Sequence, residues 1–180
     1  MPKDIPVGNG NLLFNFDSDY QIRDVYFPYI GQENHSKGDP FRFGVWVDGR
    51  CSWMGPEWKK SLKYYHNTLV TDVFLKNESL GIELRCHDVV DLDLNVYIKN
   101  IEVMNLQENE RQVRLFSSHD FHLYGYDIGD TAYFDPRTHS IIHYKANRYF
   151  LINCCNSEKD GVNHYACCDK ETPSREEIWN

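Results

Sequence analysis

The sequence predicts an all-β protein: a large antiparallel β-sandwich of two sheets, with few or no helices. Three observations predict this. Apolar residues alternate with polar ones along most segments, which is the period of a strand with one buried face. The alternating runs recur at roughly the 8–12-residue spacing of sandwiches and barrels, with turn residues between them. No helical repeat of apolar residues extends beyond about two turns.

The first hairpin organises the chain. Leu12, Phe14 and Phe16 alternate with Leu13, Asn15 and Asp17, and Ser18-Asp19 makes the turn. Tyr20 and Ile22 open the return strand. Its apolar parity changes at Arg23-Asp24, so Val25 and Phe27 continue the buried row only if a bulge inserts one residue there. Pro28 has no N–H to donate and ends the pairing. A polar loop, Gly31-Gln32-Glu33-Asn34-His35, follows on this rigid support. Residues 41–47 alternate cleanly, Asp48-Gly49 is a hairpin turn, and residues 50–53 return. Gly55-Pro56 breaks the pattern, and residues 57–61 suit either one helical turn or a loop.

Leu69, Thr71, Val73 and Leu75 define one face of the next strand. Asn77-Glu78-Ser79 turns it, and Leu80, Ile82, Leu84 and Cys86 alternate with Gly81, Glu83, Arg85 and His87. Residues 88–93 form an acidic connector to a long strand. There Leu94, Val96 and Ile98 share a face, while Ile101 and Val103 fall on the other parity, which predicts a bulge near Lys99-Asn100. After a polar turn at 106–110, residues 112–118 return with Val113 and Leu115 inward and Arg114 outward. Asp135-Pro136-Arg137-Thr138 has type I turn chemistry and joins strands at 131–134 and 140–144. Further strands are expected at 148–154 and 163–168. Ser174-Arg175-Glu176-Glu177 has capping-box spacing, as if a helix were beginning. Without linkers or internal repeats, residues 1–180 read as a single domain.

Composition narrows the function. Acidic residues number 27 against 19 basic, a formal net charge of -8, and no basic run occurs, so a nucleic-acid partner is not expected. The first residues lack an apolar core segment and no apolar run approaches the roughly 20 residues that span a bilayer, so a cytoplasmic protein without membrane association is expected. Six cysteines include the adjacent pairs Cys154-Cys155 and Cys167-Cys168 but no C-x-x-C. Neighbours on a strand face apart, which argues for reduced thiols over a metal site, although a bridge between the two pairs is geometrically open.

Gly8-Asn9-Gly10, the run from Ile22 through Pro28, and Gly31 through His35 together resemble the start of the prokaryotic glucoamylase-like enzymes of glycoside hydrolase family 15. The similarity continues through His119-Asp120-Phe121 and Asp127-Ile128-Gly129-Asp130-Thr131 to Tyr144. In that family this region is a large β-sandwich of the supersandwich type preceding an (α/α) barrel. The resemblance implies an N-terminal domain that braces the barrel. The parent enzyme would hydrolyse terminal α-glucosidic bonds of starch-type glucans or oligosaccharides with inversion. The family's catalytic glutamates lie in the barrel, so no residue here inherits a catalytic role and this segment alone is expected to be inactive. An isolated domain would also expose a barrel-facing apolar patch and self-associate through it. The alternative is a free-standing carbohydrate-binding sandwich.

The loop supplies the candidate site residues. Gln32, Glu33, Asn34 and His35 offer paired donors and acceptors suited to sugar hydroxyls at a pocket rim, or to an interdomain contact; the plainer alternative is a structural loop bonded to its own backbone. His119 and His122 have opposite parity and would face apart on a strand, which argues against a shared metal. Asp88, Asp91 and Asp93, like Asp127 and Asp130, offer too few oxygens for calcium. No metal or other cofactor is expected. Trp46, Trp53, Trp58 and Trp179 are candidates for sugar stacking, with core packing the commoner fate.

Overall fold

The computed structural model describes residues 5–156 and 160–167. Among these residues the chain is all-β: its strands form four antiparallel sheets, and the helical content is one 3-10 turn at Leu123–Gly125. The chain divides into two compact units between Asp120 and Phe121.

The first unit opens with β1 (Ile5–Gly8), β2 (Leu13–Phe16) and β3 (Ile22–Tyr26), paired in that order. The predicted bulge is present: Asn15 pairs with Asp24 and Phe16 with Ile22, leaving Arg23 as the extra residue. Its effect is to bury both Asp24 and Val25 although they are neighbours. β4 (Arg42–Val47) and β5 (Arg50–Trp53) form the expected hairpin, with Asp48 and Gly49 both at positive φ, as a type I′ turn requires. β6 (Lys59–Tyr64), β7 (Thr71–Asn77), β8 (Ile82–Val90) and β9 (Tyr97–Asn105) make a four-stranded meander. β10 (Val113–Ser118) pairs with the far edge of β4.

The inward row of the meander is Val73, Leu75, Ile82, Leu84 and Cys86, all buried. Aromatic rings join it to the other sheets. Phe14 stacks on Tyr97 at 4.3 Å, and the Lys99 ammonium lies 5.4 Å from the Phe43 ring centre. On the opposite face of β4, Gly44 lets Phe116 and Trp53 pack edge to face across it, 4.9 Å apart. A Cβ at Gly44 would meet the Phe116 ring at 2.5 Å.

Several expectations change. Of residues 57–61, the first two lie in a turn and 59–61 open the edge strand β6, whose polar residues suit an edge and hide its periodicity. Residues 88–90 belong to β8 and not to the connector, and Asp88 is buried. β9 carries no bulge: nine consecutive pairs run from Ile82↔Asn105 to Val90↔Tyr97. Tyr97, Lys99, Ile101 and Val103 share the face of the buried β8 row, with Tyr97, Lys99 and Ile101 half-buried and Val103 exposed. A tyrosine and a lysine take positions the apolar pattern assigned elsewhere, and Leu94, Val96 and Ile98 stay exposed. Leu69 and Leu115 are exposed as well.

The second unit contains β11 (Thr131–Asp135), β12 (Ser140–Lys145) and β13 (Arg148–Ile152), a three-stranded meander. Asp135 organises the predicted turn by accepting from the Thr138 hydroxyl at 2.7 Å and the Arg137 amide at 3.3 Å. Phe121 packs against His143 and Phe150. Residues 163–167 form no strand. Cys168, Trp179 and the expected capping box lie outside the described residues.

Candidate functional site

The loop after β3 has a bonded base and an open tip. At the base, the Asn34 side-chain oxygen accepts from the Val25 amide (3.2 Å), the Ser36 amide (3.1 Å) and the Ser36 hydroxyl (2.9 Å). Its nitrogen donates to Asp24 at 2.8 Å. Asp24 also accepts from Asn15 and from both Nε and Nη2 of Arg23. The residue inserted by the bulge therefore supplies the counter-ion of the carboxylate it helps to bury. His35 is fully buried; its Nε2 donates to the Phe27 carbonyl, and its amide donates to Val25 at 2.7 Å.

The tip faces solvent. The Tyr29 carbonyl accepts from the amides of Gln32 and Glu33, and Gly31 at φ +80° closes the turn. Tyr29, Ile30 and Gln32 are exposed and Glu33 is half-buried. The sequence thus located the loop, but two of its four named side chains point into the hairpin. A period-two reading carries no information about a side chain that turns back onto its own backbone.

A second constellation escaped the sequence reading. Asp88 is buried in β8, where its Oδ2 accepts from Tyr20 at 2.6 Å and Thr71 at 2.8 Å. Its Oδ1 accepts from Tyr97 and lies 3.1 Å from the Lys99 ammonium. Lys99 also donates to the Tyr20 hydroxyl and sits 3.9 Å from that ring's centre. Burial raises the Asp88 pKa, but the Lys99 charge and the three hydroxyl bonds outweigh it and hold the carboxyl below its ordinary value. Burial first, then the Asp88 charge, pushes both tyrosine hydroxyls well above theirs. Both carboxylate oxygens are occupied by partners on β7, β9 and the opening hairpin, so the cluster acts as a structural pin. An Asp and a Lys placed opposite each other on inward rows were the available signal, and it is visible only once the register of β8 and β9 is known.

No protein-family model matches the chain, and no curated protein does. Among solved structures, a bacterial glucoamylase complexed with acarbose aligns with 84% of this chain at a TM-score of 0.67 and 12% identity. The two share a fold. The chain spans 24% of the length of that glucoamylase chain.

The remaining candidates are ordinary packing. His119 lies edge-on to Phe41, while His122 is bonded to Asp127 at 3.0 Å. The carboxylate of Asp91 accepts from the amides of Asp93 and Leu94. Asp130 accepts from the Leu123 amide. Among the described residues no group of three or more His, Cys, Asp or Glu side chains is placed to hold a metal. Trp58 is buried with its Nε1 donating to Ser52, and the half-buried Trp46 is covered by the Arg114 guanidinium at 4.6 Å. Cys51, Cys86, Cys154 and Cys155 are unbridged, and burial pushes Cys86 up to about 11. No helix is long and apolar enough to cross a membrane among the described residues.

Proposed function

We propose that this chain is the non-catalytic β-sandwich portion of a cytoplasmic glucoamylase-like glycoside hydrolase. In this reading it braces an (α/α) barrel supplied by the same polypeptide. The barrel carries the two glutamates that hydrolyse terminal α-glucosidic bonds of starch-type glucans or oligosaccharides with inversion. The observation that carries the reading is the fold likeness to a glucoamylase across 84% of this chain, combined with coverage of only 24% of that enzyme.

The loop after β3 supports an assignment to the rim or to the contact with the barrel. Its base is locked by Asn34 and His35, so the exposed tip at Tyr29, Ile30 and Gln32 is presented with little conformational freedom. The test compares this chain with the longer polypeptide on maltooligosaccharides. The chain alone is expected to release no glucose, and the longer protein to release glucose of inverted anomeric configuration. Tyr29→Ala with Gln32→Ala in the longer protein should raise KM or lower its thermal stability. Glucose release by the chain alone overturns the division of labour, and an unchanged double variant overturns the role of the tip.

A further inference from the structure

β9 is an edge strand nine residues long, and among the described residues β8 is its hydrogen-bonded neighbour on one side only. An open edge of this length presents a row of unpaired N–H and C=O groups, a template for another strand. The opposite edge of the same sheet is guarded. β6 carries Lys59, Lys60 and Lys63, with the Lys59 and Lys63 side chains 70% and 65% exposed. β9 shows no exposed lysine: Lys99 is turned inward and neutralised on Asp88, and Glu102 is the one charged residue of its outward row. Its outward row is Ile98, Asn100, Glu102 and Met104, and exposed Val96 and Leu106 extend the apolar character past both ends.

We propose that β9 pairs antiparallel with β9 of a second copy of this chain, joining two four-stranded sheets into one of eight strands. Charge and pleat select the register. Residues opposed across a two-fold axis share a face only when the axis passes through a residue position. With the axis at Ile101, Ile98 lies opposite Met104 of the second copy, Asn100 opposite Glu102, and Lys99 opposite Val103, so no like charges meet. With the axis at Glu102, two carboxylates oppose each other; with the axis at Asn100, each Glu102 faces an isoleucine. The Ile101 register closes about eight to ten backbone hydrogen bonds and places an apolar pair at each end of the outer face.

Light scattering and sedimentation of the full chain, from micromolar to submillimolar concentration, test this. The wild type is expected to dimerise with concentration. Ile98→Lys, at an exposed position, and Met104→Glu, at a half-buried one on the same face, should each raise the dimer dissociation constant by about tenfold, since each alters two symmetry-related pairs. Ile98→Lys combined with Met104→Glu places a lysine opposite a glutamate at both ends and should recover the wild-type constant. Circular dichroism confirms that each variant is folded. A wild type that stays monomeric overturns the proposal. So does a dimer indifferent to the single changes, or a double variant no tighter than the singles.

Discussion

Replacing Lys99 with methionine tests the pin at the centre of the first unit. The change keeps an unbranched stem and removes the cation beside Asp88, whose side chain is fully buried while that of Lys99 is 16% exposed. Removing one partner of a buried pair costs about 3–5 kcal/mol, mostly from the charge left behind. Asp88 would keep its bonds from Tyr20, Tyr97 and Thr71, so the lower end, about 3 kcal/mol, is expected. The pH dependence fixes the cause. In the wild type the folded pKa of Asp88 lies below its unfolded value, so the pair stabilises the fold above about pH 4, and that contribution is lost as the pH falls through the folded value. In the variant, burial is no longer opposed by a cation and the folded pKa rises. Protonation then relieves the stranded charge, and the gap between wild type and variant narrows in acid. Urea unfolding followed by tryptophan fluorescence, to which the buried Trp58 of this unit contributes, measures the gap at neutral and mildly acidic pH. A loss below about 1 kcal/mol, or a gap that does not shrink in acid, refutes the reasoning.

Gly44→Ala should destabilise the first unit by about 1–3 kcal/mol, because the new methyl group meets the Phe116 ring before either ring can move freely; the urea midpoint reads this directly. Asn34→Ala removes four hydrogen bonds at the base of the loop, for an expected loss of about 2–3 kcal/mol, with amide exchange at Val25 and Ser36 accelerating beyond the global effect. In the native protein near neutral pH, the exposed Cys51, Cys154 and Cys155 should react with a thiol reagent while Cys86, buried and pushed up to about 11, reacts only on unfolding; timed labelling and mass spectrometry separate the two classes.

The sheet architecture was legible wherever one face is apolar and the other polar, as in β7 and β8. The bulge at Arg23 was legible too, because a parity break between two apolar rows has few other solutions. The reading failed where polar residues do structural work. β6 is an edge strand whose lysines hide its periodicity. In β9, Tyr97 and Lys99 face inward because a ring stack and a buried carboxylate receive them, so the exposed Ile98 misled the parity count and suggested a bulge. At the loop, the sequence located a rigid polar turn, but the division between the half-buried Asn34, the buried His35 and the exposed Gln32 depends on which backbone groups lie within reach. Composition does not encode that.

Tyr20 and Lys99 stand 79 positions apart, yet they meet on one carboxylate. During synthesis the phenol of the opening hairpin therefore waits for β8 to bring Asp88, and the pin is complete only when β9 has brought Lys99. The first unit should remain vulnerable to proteases and holdase chaperones over that whole interval, and then close in a single late step.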